Sequence, residues 1–135
     1  MSRRRWPLVL VAAVPLLATA CGGSAGNAPS GPAQVSATKG ADGVQEVTID
    51  TADNFRFVPA VVQAHVGELR IVLTDHGSYP HNISFPAMHA TSKTVSGSPG
   101  RQQTTFTMQL THPGNYDFVC TFHSSAGMKG RITVS

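Results

Sequence analysis

The chain has 135 residues, a length that suits one domain, and a formal net charge of +3. All of that charge sits in Arg3, Arg4 and Arg5; from Cys21 onward seven basic residues face seven acidic ones, so this part is formally neutral. Such a balance offers none of the clustered positive charge that nucleic-acid binding needs.

The first element is "MSRRRWPLVLVAAVPLLATAC". A basic head, an apolar run over residues 6–17 and small residues up to Cys21 predict a secretory signal peptide over residues 1–20. The run is too short for a comfortable membrane span, which leaves an uncleaved anchor as the weaker alternative. "LLATA", Cys21 and "GGS" together resemble a bacterial lipoprotein signal, although Ala18 stands where such signals usually carry Leu. The resemblance implies that Cys21 becomes the mature N-terminus and carries lipid. The protein is then expected to be exported and lipid-anchored to the outer face of the cell membrane, since two acyl chains bind stably where one does not. Residues 21–40, rich in Gly, Ala, Ser and Pro, predict a flexible tether.

From about Ala41 the texture changes, and residues 41–135 read as the folded domain. "VQEVTID", "AVVQAHV", "ELRIVLTD", "HNISF", "QTTFTMQL", "NYDFVC" and "GRITVS" are short β-type runs. In the third, Leu69, Ile71 and Leu73 share one face. Gly, Pro or Asn breaks the chain between most of them, as at Pro59, Gly67, Pro80 and Gly130. No helical period of any length appears. The pattern predicts an all-β, Greek-key sandwich of seven to eight strands. Residues 86–100 are expected to be a loop or to hold one short helix.

The chain has two cysteines. If Cys21 is lipidated, Cys120 is a lone thiol in an oxidising compartment, and it is either a metal ligand or an inert core residue. Its neighbours decide between these. Cys120, His123 and Met128 follow one another as Cys-x₂-His-x₄-Met between the last two strands, where one loop can present all three at one end of a sandwich. A thiolate, two imidazoles and a weak thioether suit a metal that cycles between Cu(I) and Cu(II). Five other histidines can supply the second imidazole. His81, at the start of an apolar strand and held by Pro80, is the best placed; His65, His76, His89 and His112 read as surface residues.

"YPHNISF" and "GNYDFVCTFHSSAGMKGRITV" resemble the two ligand segments of the plastocyanin-like cupredoxins, and "FRFVPAVVQAHVGELRIVLTD" resembles their Phe-x-Pro entry. The resemblance covers about residues 44–135. It implies one mononuclear type 1 copper held by His81, Cys120, His123 and Met128, with Asn82 behind them tying the two ligand loops together. It also implies that His123 is the electron port, with Phe122, Ala126, Gly127 and Pro86 candidates for a docking surface around it. Thr121 and Phe122 stand where plastocyanins tend to have Pro before the His, a change that bears on redox potential rather than ligation.

The expected function is a membrane-tethered, monomeric carrier of single electrons between redox partner proteins, not an enzyme. Copper delivery without redox duty is the alternative, but such proteins tend to expose Met- or His-rich stretches, and here these residues are scattered. A zinc or purely structural domain is a third reading; zinc gains little from a thioether.

Overall fold

The computed structural model describes residues 34–96 and 102–135. The proposed signal peptide, Cys21 and most of the proposed tether lie outside these residues. Ten strands form in chain order: β1 (Gln34–Ser36), β2 (Thr38–Lys39), β3 (Gln45–Thr51), β4 (Val61–Ala64), β5 (Gly67–Asp75), β6 (Ser84–Phe85), β7 (Ala90–Thr91), β8 (Gln102–Leu110), β9 (Gly114–Val119) and β10 (Lys129–Val134). Each of the seven β-type runs becomes a strand. β1, β2 and β7 are short additions to the expected count. Residues 86–96 are mixed: a 3₁₀ turn at Pro86–Met88, then β7, then an isolated bridge at Val95.

The strands form a β-sandwich. One sheet runs β1-β4-β10-β9-β6-β7 and the other β2-β3-β5-β8. β3 lies parallel to β5, and β10 parallel to β4, so both sheets are mixed. β10 also pairs antiparallel with β9, which makes it an interior strand of the larger sheet.

The tether boundary needs correcting. Residues 34–39 are not tether: β1 pairs with β4, β2 pairs with β3, and the chain steps from one sheet to the other at Ala37. "QVSATK" is exposed at almost every position, so no burial pattern advertises these strands. Backbone hydrogen bonds to sheet edges hold them instead.

Alternation explains the core. In β3, Val47, Ile49 and Thr51 point inward; in β5, Leu69, Ile71 and Leu73 do. Phe57, Phe85, Phe118, Ile132 and Leu110 fill the space between the sheets, and Phe118 meets Phe57 edge-on at 5.1 Å. Gly130 permits the close approach of β10. A Cβ there would run into the Phe118 ring and lie 2.7 Å from the Ala60 carbonyl oxygen. At the end of β5 the alternation breaks, because Leu73, Thr74 and Asp75 are all buried. That end of the sandwich carries the site.

Candidate metal centre

Cys120 follows β9 directly, and the loop to β10 is bonded to itself. The Cys120 N–H donates to the Met128 carbonyl at 3.1 Å, the Met128 N–H to the His123 carbonyl at 3.2 Å, and the His123 N–H to the Cys120 carbonyl at 3.3 Å. A 3₁₀ turn, Ser124–Ala126, lies between, and Gly127 ends it with φ +82, a conformation natural to glycine. Nine residues thus carry three candidate donors on a loop closed by its own backbone hydrogen bonds.

His81 comes from the other side of the sequence. It is completely buried, and it exchanges backbone hydrogen bonds with Val95 at 2.8 and 2.9 Å. Asn82 then joins the two ligand segments. Its Nδ2 donates to Thr121 Oγ1 at 2.9 Å, and its Oδ1 accepts from the Thr121 N–H at 2.9 Å. The latter contact satisfies a backbone donor beside Cys120.

Cys120 Sγ lies 3.9 Å from His81 Nδ1 and 3.7 Å from His123 Nδ1, and the three atoms all fall within 4.8 Å of one another. These separations are too long for good hydrogen bonds to a thiol. They match atoms arranged around a common centre. Metal–sulfur and metal–nitrogen bonds of about 2.3 and 2.0 Å at trigonal angles separate S from N by roughly 3.7 Å. Met128 is completely buried and lies close to the other three. Burial pushes the His81 imidazole below its ordinary pKa, with Asp75 opposing and His123 adding to the shift. A neutral ring is the form that ligates.

Among the described residues, His81, Cys120 and His123 are the only group of three or more His, Cys, Asp or Glu side chains so gathered. The other histidines lie elsewhere. His76 Nε2 meets Asp50 at 2.9 Å, His65 Nδ1 meets Ser135 at 3.0 Å, and His112 Nδ1 meets Thr111 at 2.9 Å. His89 ends the Pro86–Met88 turn with φ +52. Pro86 lines a separate groove with His112 and Tyr116 rather than the surroundings of His123, contrary to the expected docking surface.

Sequence reasoning missed two aromatic residues. Phe55 stacks on the His123 ring at 4.2 Å with an interplanar angle of 15°, and Tyr79 meets both rings edge-on. Phe55 holds φ +54, unusual outside glycine, and this aims it at the site. Asp53 fixes the Tyr79 loop by accepting from the Ser78 and Tyr79 N–H groups at 2.6 and 3.2 Å. Tyr79 and Phe122 are 52% and 48% exposed, and His123 is partly exposed between them.

Residues 15–134 match the family model of the cupredoxin-like domain. The chain belongs to that family. It is a plastocyanin-like cupredoxin: it is 32% identical over 102 residues to a plastocyanin of Lactuca sativa, covering 67% of this chain and 99% of that one. This cupredoxin spans 57–59% of the length of several chloroplastic plastocyanins that it also matches. Two solved structures share the fold at 19% identity. One is the reduced auracyanin of Roseiflexus castenholzii, with a TM-score of 0.55 and coverage of 73% of this chain and 98% of that one. The other is the metal-binding domain of a Cu(I)-exporting P-type ATPase of Streptococcus pneumoniae, with a TM-score of 0.56 and coverage of 77% and 97%. The donor set of this cupredoxin, one thiol, two imidazoles and a nearby thioether, fits one mononuclear type 1 copper.

Proposed function

We propose that this cupredoxin carries single electrons between redox partner proteins, using one copper held by His81, Cys120, His123 and Met128. The observation that carries the reading is the convergence of the Cys120, His81 and His123 donor atoms within 4.8 Å, with only His123 reaching the surface. Copper, when bound, supplies a one-electron couple. The residues supply rigidity. The Cys120–Met128 loop is closed by its own backbone hydrogen bonds, and the Asn82–Thr121 pair locks it to the His81 segment. A site that moves little between oxidation states has a low barrier to exchange. Three further donors around a buried thiol leave no position for a substrate, which supports a carrier rather than an enzyme.

His123 is the port. Phe122 and Tyr79 surround its exposed edge with apolar surface, which suits brief docking of a partner. Cys21 is proposed to carry lipid and to tether the exported protein to the outer face of the membrane. The tether then runs from Cys21 to just before Gln34.

The test is a visible absorption spectrum of the purified protein with one equivalent of Cu(II). An intense blue band, bleached by ascorbate and restored by an oxidant, is expected. Cys120→Ser is expected to abolish the band, because it arises from charge transfer between thiolate sulfur and Cu(II). A pale protein that still binds copper tightly would replace electron transfer with copper delivery. His81→Ala with an unchanged spectrum would overturn the ligand set.

A further inference from the structure

The margins of the two sheets are unequal. Three of the edge strands, β1, β2 and β7, are only two or three residues long. The fourth, β8, has nine residues, and none of them is charged, Pro or Gly. Among the described residues it pairs with β5 alone, its register runs without a bulge, and no backbone hydrogen bond reaches its other margin. A strand edge presents a row of N–H and C=O groups, and proteins ordinarily shield long edges with Lys, Pro, bulges or inward-pointing charges. β8 has none of these devices.

The same margin is open on its inner side. Ile71 and Leu73 of β5 are completely buried, whereas Phe106 and Thr104, which face them across the ladder, are half-buried. Phe106 reaches Phe85 of the other sheet at 6.0 Å, with 14° between the rings, yet part of its surface stays in contact with water.

The residues of β8 say what fits beside it. Laid antiparallel against a second copy of itself, with Phe106 on the twofold axis, the strand sets Thr105 opposite the second copy's Thr107 and Gln103 opposite its Gln109. All four residues are exposed and share the outward face of the sheet. Thr and Gln side chains hydrogen-bond across strands, and no like charges meet. On the inner face the two Phe106 side chains meet, and each Thr104 faces a Met108.

We propose that β8 is a dimerisation edge, which joins two copies of this protein into one continuous eight-stranded sheet. The contact is isologous, so it closes on itself and stops at two copies. It replaces the monomer expected from the sequence, and it does not depend on the metal. β8 starts beside Asp75, at the metal end, and runs away from it. An antiparallel pair therefore points the two metal centres in opposite directions and leaves both His123 edges uncovered.

The test is the mass of the purified protein by sedimentation equilibrium, in density-matched detergent, from about 1 μM to about 1 mM. A reversible dimer that forms as concentration rises is expected, with or without copper. A monomer across the whole range overturns the proposal. Two variants then test the seam. Thr105→Lys/Thr107→Lys and Thr105→Glu/Thr107→Glu each set like charges opposite one another, and each is expected to weaken the dimer at least about tenfold. Both positions are exposed, so the fold and the blue band are expected to remain. Mixed in equal amounts, the two variants are expected to form a dimer with each other, because Lys then faces Glu across the seam. A dimer that neither variant weakens forms through another surface and overturns the proposal. Two weakened variants that stay monomeric when mixed overturn the antiparallel pairing centred on Phe106.

Discussion

At the residue scale, the site contains donors of unequal importance. Cys120 and the two imidazoles define the centre, and Met128 approaches from the completely buried end of the loop. A thioether is a weak donor, and losing an axial donor costs Cu(II), which seeks the higher coordination number, more than Cu(I), so Met128→Leu is expected to keep copper and the blue band while raising the reduction potential, read by redox titration. Phe55 acts on His123 instead. Its stacking on His123 restrains the one candidate ligand ring that reaches solvent. Phe55→Ala is expected to cost about 1 kcal/mol of stability beyond the lost burial. It should also slow electron self-exchange, followed by NMR line broadening, while the blue band remains. Cys120, His123 and Met128 were legible because their spacing alone puts them on one loop, and His81 because it opens an apolar strand. Phe55 was not, because its role depends on a ring 68 positions away and on a left-handed backbone. The burial of Asp75 was not legible either, because an acidic residue at a strand end ordinarily faces water.

At the element scale, the two sheets hold the ligand segments a fixed distance apart. β10 is the strand that sets the closeness of that packing, since Gly130 lies against the Phe118 ring and the Ala60 carbonyl. Gly130→Ala is therefore expected to destabilise the fold by about 1–3 kcal/mol, measured by denaturant unfolding, with a spectrum like the parent's. The seven apolar runs were readable from alternation, because each of them buries side chains. β1 and β2 were not, because their stability comes from backbone pairing at sheet edges, which leaves no trace in hydropathy. β7 was hidden for a different reason: two residues are too few to show any period.

At the scale of the whole molecule, the formal neutrality of the chain from Cys21 onward is the governing property. Arg70 is tied to Asp42 and Glu46, and Arg131 to Asp117, so much of the surface charge is already paired. These contacts are exposed and contribute little to stability. They also leave little field to steer a charged partner. Bimolecular electron-transfer rates with a physiological partner are expected to change less than about threefold between low and high salt. A steep fall with added salt, measured by stopped-flow, would point to a charged docking patch instead of the apolar surround of His123.

The position of β10 has a consequence for how the protein comes into being. This strand lies between β4 and β9, yet it follows every other strand of its sheet along the chain. A growing polypeptide can pair β9 with β6, but the gap beside β4 stays open until residues 129–134 have been synthesised. The three donors of the closing loop are made immediately before that strand, so native architecture and metal competence arrive together. A nascent chain has neither, and it remains pliant for as long as it is incomplete. If the protein is exported before it takes up metal, as proposed above, that order of events leaves the Cys120 thiol unorganised until the chain is complete.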